Sequence, residues 1–200
     1  MGQADGILGR TTGCGCVLYS AYGIVREWIS ESGTEKYKFT NSPQTGALPN
    51  ASGYVEYWDL GRYGRLYGDY RLDGDIISIW FTNKGTLYSY SYNLHSETGV
   101  LDIDGTSFNY ISDTGSILDQ LYGTWISGDD VLTFYGANGA PHQYALDRYS
   151  NSDLNGNYCV WDSTHIAINN DIMNYEQMWL VKFRINGNKL KFGDDEYYRQ

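Results

Sequence analysis

The sequence has little cysteine and little proline, and it has no long apolar run. Its three cysteines cannot form a complete set of disulfides within one chain, because their number is odd. Cys14 and Cys16 are one residue apart, but no second cysteine or histidine cluster is spaced to complete a tetrahedral site. We therefore expect unpaired thiols, no bound metal and no cofactor. No stretch reaches the roughly 18 uncharged apolar residues of a membrane span.

Basic residues are also scarce. The 14 Lys and Arg are outnumbered by 24 Asp and Glu, so the net charge is −10. Both halves of the chain are acidic, and neither contains a basic run. Such a chain is repelled by phosphate backbones, and we expect it to bind neither nucleic acid nor anionic membrane surfaces.

Aromatic residues and glycine are abundant, with 20 Tyr, six Trp, six Phe and 24 Gly. From Val25 onward, short runs of β-branched and aromatic residues alternate with turn residues, a pattern typical of an all-β sandwich or barrel. Asp73-Gly74 and Asp104-Gly105 each stand between two such runs, as the central residues of a type I′ hairpin do. Only residues 116–121 suggest a helical turn.

The predicted strands form two sets of eight. The first set covers residues 25–30, 35–40, 52–59, 66–72, 75–82, 86–94, 99–104 and 106–112. The second set covers residues 123–127, 130–135, 142–149, 156–161, 164–169, 178–186, 189–193 and 195–199.

The two sets repeat the same motifs in the same order. Trp28-Ile29-Ser30 corresponds to Trp125-Ile126-Ser127, and Leu66-Tyr67-Gly68-Asp69-Tyr70 corresponds to Leu154-Asn155-Gly156-Asn157-Tyr158. The offset is 97 residues for the first pair and 88 for the second. A period of this length indicates duplication of a whole small domain. We expect an irregular leader at 1–24, a β unit at 25–112, a linker at 113–121 and a second β unit at 122–200.

The second unit contains, in this order, Gly123-Thr124-Trp125, Phe134, Gly156-Asn157-Tyr158, Ile166-Ala167-Ile168 and Gly187-Asn188-Lys189-Leu190. With these motifs the unit resembles the small bacterial lipocalin-like domains. It implies a small barrel or strongly curved sheet in which Trp125 plugs one end. It also implies that Arg199, in the last strand, packs over that indole by a cation–π contact.

The first unit departs from this pattern. Trp28 follows Arg26-Glu27 rather than a glycine, and Tyr110 stands where Arg199 stands in the second unit. We expect Trp28 to be a buried plug as well, with a different cover. Units of this length are short for a large ligand cup, so we expect their cores to be filled. The resemblance further implies a cell-envelope or secreted protein, although residues 1–13 lack the features of an export signal.

The run Tyr88-Ser89-Tyr90-Ser91-Tyr92 is the clearest strand signal, and its alternation places the three tyrosines on one face. Such a face either contacts a ligand, such as a sugar ring, or stabilises the sheet through cross-strand aromatic pairs. We take Tyr88, Tyr90 and Tyr92, together with Trp80 and Trp179, as candidate ligand contacts.

Catalytic patterns are weak. His95 and His165 accompany no nucleophile motif, and the carboxylates at Asp73, Asp75, Asp102 and Asp104 are explained by turns and strand faces. We expect a non-enzymatic module that presents aromatic β faces to a glycan, a small amphipathic ligand or a protein partner. The alternatives are a self-associating subunit of a viral particle or surface layer, or a glycan-processing enzyme that uses a pair of these four aspartates.

Overall fold

A computed structural model describes residues 23–62, 64–111, 114–136, 143–148, 151–170 and 178–200. Within this part of the chain, antiparallel strands form two closed barrels joined by one short helix. Cys14, Cys16 and nearly all of the expected leader lie outside the described residues. No described helix has the length and apolar character needed to cross a membrane.

The first barrel contains β1 Glu27–Ser30, β2 Glu35–Thr40, β3 Gly53–Asp59, β4 Gly64–Asp73, β5 Ile76–Phe81, β6 Thr86–His95, β7 Val100–Ile103 and β8 Thr106–Tyr110. Helix α1 spans Thr114–Leu121. The second barrel contains β9 Gly123–Ser127, β10 Asp130–Tyr135, β11 Gln143–Arg148, β12 Asn151–Val160, β13 His165–Asn170, β14 Met178–Asn186, β15 Lys189–Phe192 and β16 Asp195–Arg199.

Each strand pairs with its neighbours in the sequence, and the first strand of each set also pairs with the last. β1 pairs with both β2 and β8, and β9 pairs with both β10 and β16. The prediction of an all-β fold with two antiparallel units is therefore confirmed. The two units are closed barrels rather than open curved sheets.

The residues at the hairpin turns set the strand registers. One of the two predicted type I′ turns is observed, and the other differs. Asp104 and Gly105 both have positive φ, at 49° and 80°, as a type I′ turn requires. The prediction for Asp73-Gly74 is wrong by one residue, because Asp73 already pairs with Ile76. The central residues are Gly74 and Asp75, and only Gly74 has positive φ. This arrangement matches a type II′ turn, which places glycine first.

Alternation in β5 shows how apolar side chains fill the first barrel. In β5, Ile77, Ile79 and Phe81 belong to the core of the first barrel, whereas Ile76 is exposed. The second barrel has a core of the same kind, and Leu118 and Leu121 of α1 belong to it. Helix α1, which lies within the expected linker, therefore packs against the second barrel.

A third apolar cluster joins the outer faces of the two barrels. Trp58 of the first barrel packs with Cys159, Trp161 and Ala167 of the second, and all four are buried. The Trp161 indole N–H donates a hydrogen bond of 3.1 Å to the carbonyl of Gly33. The two units consequently share a packed interface.

A buried lysine lies in this interface. The side chain of Lys36 is 1% exposed, its Nζ lies 2.7 Å from the Glu27 carboxylate, and it donates to the carbonyl of Val160 in the second barrel. A buried charge is tolerated only where it is paired and hydrogen-bonded. Glu27 of the same barrel pairs the charge of Lys36, and the second barrel supplies a further hydrogen-bond acceptor in Val160.

We predict that Lys36→Met lowers the free energy of unfolding by about 3–5 kcal/mol, because it removes one partner of a buried ion pair. Urea unfolding followed by tryptophan fluorescence measures this change. Lys38→Met is the matched control, since Lys38 is more exposed and lies 3.7 Å from the same carboxylate. It should cost less than about 1 kcal/mol. Equal losses in the two variants would contradict the role of Lys36.

A second buried charge anchors the segment between β2 and β3. The Asp69 carboxylate accepts hydrogen bonds from the backbone N–H groups of Gln44, Thr45 and Gly46 and from the Thr45 hydroxyl. Burial of Asp69 opposes ionisation. The hydrogen bonds from Thr45, Gln44 and Gly46 outweigh it, so the pKa of Asp69 lies below its usual range.

We predict that Asp69→Asn lowers the free energy of unfolding at pH 7 by about 1.5–3 kcal/mol, the value of hydrogen bonds to a charged group. Because the folded-state pKa is depressed, this contribution is present above the unfolded pKa of about 3.9 and is lost as pH falls further. The difference from the parent should therefore shrink below about pH 4. Denaturation at several pH values tests this, with the exposed Asp73→Asn as control; a pH-independent difference would contradict it.

Candidate functional site

The three tyrosines of β6 lie on the inner face of the first barrel. Tyr92 is buried in the core, while Tyr88 and Tyr90 are partly buried and pack against it. The rings of Tyr88 and Tyr90 are stacked, with centroids 6.0 Å apart and an interplanar angle of 7°. The aromatic face predicted from the sequence is therefore concave and points into the barrel.

Tyr88 and Tyr90 border a cavity of about 200 Å³ at one end of the first barrel, which we call the mouth. It is lined by Glu35, Tyr37, Tyr57, Leu66, Phe81, Tyr88, Tyr90, Ile103, Asp104, Thr106 and Phe108. Aromatic and aliphatic side chains form the walls, and Asp104 and Thr106 are exposed at the rim. This combination suits a ligand with an apolar body and a polar end.

Aromatic contacts continue from the mouth into the core. Tyr37 and Tyr57 have ring centroids 4.6 Å apart, and Tyr37 meets Phe108 edge-on at 5.1 Å. Phe81 lies edge-on to Tyr88 at 5.6 Å. These rings fill the barrel below the mouth, so the cavity is shallow.

A carboxylate is fixed among these rings. The Tyr57 hydroxyl donates a hydrogen bond to Oε1 of Glu35. Burial raises the pKa of Tyr57, and the hydrogen bond to Glu35 raises it further. Burial likewise raises the pKa of Tyr37, with added repulsion from Tyr90, Glu35, Asp59 and Asp104. Both phenols are therefore neutral at physiological pH.

The structure does not bring the two tryptophan candidates to this site. Trp80 lies on the outer face of the first barrel, between the inward-facing Ile79 and Phe81. Trp179 belongs to the second barrel, where it pairs with Ile168 and is 43% exposed. Of the predicted ligand contacts, only Tyr88 and Tyr90 line the mouth.

Several residues of the mouth were missed by the sequence analysis. Tyr37, Tyr57 and Glu35 lie on strands β2 and β3, far in sequence from Tyr88. Glu35 and Tyr37 alternate in β2, which indicates that they share an inner face. Only the closure of the barrel places that face opposite β6.

Trp28 and Trp125 lie at equivalent places in the two barrels, and both are buried. The Trp28 indole N–H donates to the carbonyl of Ile24 at 2.9 Å, and that of Trp125 donates to the carbonyl of Leu121 at 2.8 Å. In each case the acceptor lies four residues earlier in the chain. Each indole is thus tied to the segment that leads into its barrel.

The two indoles are covered differently. The Arg199 guanidinium lies 4.4 Å from the centroid of Trp125 and donates to the carbonyl of Gln120 in α1. In the first barrel, Tyr110 pairs with Trp28 and meets it edge-on at 6.1 Å. Arg26 then covers Tyr110 at 4.6 Å. Tyr110 of β8 and Arg26, which precedes β1, take the place of the single arginine of the second barrel.

We predict that Trp125→Ala lowers the free energy of unfolding of the full chain by about 3–5 kcal/mol through lost packing and the resulting cavity. Arg199→Met should lower it by about 0.5–2 kcal/mol through loss of the cation–π contact. Trp179→Ala serves as control and should change it by about 0.5 kcal/mol or less, as an exposed substitution does. Thermal unfolding measures all three. A Trp125→Ala protein as stable as its parent would show that this indole is not a structural plug.

The predicted carboxylates meet on the outside of the first barrel. Asp75, Asp102 and Asp104 line a cleft of about 340 Å³, and Asp73 is not among its lining residues. The Asp102 carboxylate accepts a hydrogen bond of 2.5 Å from the Ser107 hydroxyl and lies 2.9 Å from Nε2 of His95. The Ser107 hydrogen bond and the His95 contact outweigh burial and lower the pKa of Asp102.

This arrangement differs from that of a catalytic triad. A nucleophilic serine must donate its proton to the histidine, whereas Ser107 donates to the carboxylate that also contacts His95. Among the described residues, no group of three or more His, Cys, Asp or Glu side chains is arranged to hold a metal ion.

Comparison with known proteins identifies no relative: no protein-family model, no curated protein and no solved structure matches this chain. The closed eight-stranded antiparallel barrels are compatible with a lipocalin-like fold.

Proposed function

We propose that this chain is a non-catalytic binding module of lipocalin-like type, and that its first barrel binds a small amphipathic molecule in the mouth. The observation that carries the proposal is the parallel pair of Tyr88 and Tyr90, which is partly exposed and borders the cavity. An aromatic or aliphatic ligand body placed against these rings would bury apolar surface on both sides.

The concave shape favours a small molecule over a long glycan or a protein partner. A flat partner requires an outward-facing aromatic surface, whereas Tyr88 and Tyr90 face into a cavity of about 200 Å³. The lipocalin-like assignment is supported by the order of the eight strands and by a plugging tryptophan at the start of each barrel. Arg199 over Trp125 adds the basic cover that the resemblance implies.

The neutral dye N-phenyl-1-naphthylamine tests this proposal, because its fluorescence rises when it enters an apolar site. We expect saturable binding by the full chain. Tyr88→Ala and Tyr90→Ala should each weaken binding about 2–12-fold, which corresponds to about 0.5–1.5 kcal/mol for an aromatic contact.

Tyr198→Ala is the matched control, because Tyr198 is 55% exposed on the second barrel. Its affinity for the dye should equal that of the parent. Absence of saturable binding would contradict the proposed function. Binding that neither Tyr88→Ala nor Tyr90→Ala weakens would contradict the placement of the site in the mouth.

A further inference from the structure

The mouth of the first barrel combines acidic groups with aromatic faces. Glu35 begins β2 and is partly buried among the tyrosines, and Asp104 lies in the exposed hairpin turn between β7 and β8. No Lys or Arg is among the described residues that line the cavity. A bound anion would therefore meet only repulsion at this site, whereas a cation would be attracted.

The tyrosine faces strengthen this preference. The face of an aromatic ring carries negative partial charge, so an ammonium group within about 6 Å of its centroid is stabilised. Tyr88 and Tyr90 present partly exposed rings to the cavity, and Tyr37 and Tyr57 line it further in. In such a site, the carboxylate attracts the charge of an organic cation, and the aromatic rings contact its apolar surface.

The position of Glu35 is fixed before a ligand arrives. Its backbone N–H donates to the Ser30 hydroxyl at 3.0 Å, and its Oε1 accepts the hydrogen bond from the Tyr57 hydroxyl. Within the described part of the chain, Oε2 has no hydrogen-bond donor. A ligand N–H group that reaches Oε2 would form a charge-assisted hydrogen bond without any rearrangement of the carboxylate.

We propose that the mouth selects ligands that carry an organic ammonium group beside an aromatic or aliphatic body, and that Glu35 recognises the charge. This inference rests on the ligand-binding function proposed above and specifies the chemical class of the ligand. Asp104 contributes attraction at the rim, and the tyrosine rings hold the body of the ligand.

Three ligands of similar size test the proposal by isothermal titration against the full chain. They are 2-phenylethylamine, which is a cation at pH 7, 2-phenylethanol, which is neutral, and 3-phenylpropanoate, which is an anion. We expect the amine to bind about tenfold more tightly than the alcohol, from the ion pair and the cation–π contact together. The anion should bind most weakly. Added salt should weaken binding of the amine and leave that of the alcohol unchanged.

Glu35→Gln keeps the shape of the side chain and the acceptor for Tyr57 but removes the charge. We expect it to reduce the amine-to-alcohol affinity ratio to about threefold or less, with alcohol binding unchanged. Glu97→Gln is the matched control, because it removes one charge from an exposed position in the turn between β6 and β7, at the opposite end of the same barrel. Its affinity ratio should equal that of the parent.

Asp104→Asn provides a second variant if Glu35→Gln fails to fold, because asparagine tolerates the positive φ of this turn position. It should lower the ratio by a smaller factor than Glu35→Gln. If the amine and the alcohol bind equally, or if neither variant changes their affinity ratio, the proposed selection of cations is wrong. Dye binding would in that case still support the proposed binding function. Absence of binding by the dye and by all three ligands would overturn both proposals.

Discussion

Closure of eight short antiparallel strands into a barrel creates an interior that side chains must fill, and this requirement shapes both halves of the protein. Aromatic side chains occupy much of the interior, because a large ring at alternate positions of a strand spans the space between opposite strands. Phe39 is in ring contact with both Tyr37 and Tyr70 in the first barrel, and Phe134 is in ring contact with Tyr158 in the second. The candidate site lies where this filling stops, at one end of the first barrel.

The two ends of the first barrel differ in chemistry. At one end, Trp28 is buried and hydrogen-bonded to the carbonyl of Ile24. At the other end, Tyr88 and Tyr90 are partly exposed, and Tyr57 donates a hydrogen bond to the Glu35 carboxylate. For the proposed function this difference matters, because a Glu35 carboxylate that Tyr57 already holds lowers the entropic cost of binding.

The cores limit which side chains the inner faces of the strands can carry. Contacts between the barrels limit the side chains of the outer faces in the same way. Lys36 lies one residue from Glu35 and points to the opposite side of β2, where it contacts Glu27 and the second barrel. The strand that places a carboxylate in the mouth thus also supplies the cation at the interface. Displacement of β2 would disturb both, so the second barrel helps to hold one wall of the candidate site.

Sequence patterns alone predicted the approximate strands and which residues share one face of a strand, because alternation and turn residues are local properties. Tyr88, Tyr90 and Tyr92 were assigned to one face on this basis, and Asp104-Gly105 was identified as a turn. Only the tertiary structure decided that this face is concave, that Tyr37, Tyr57 and Glu35 lie across from it, and that Trp80 and Trp179 lie elsewhere. These relations depend on barrel closure, which brings together strands that are distant in the sequence and therefore leaves no local pattern.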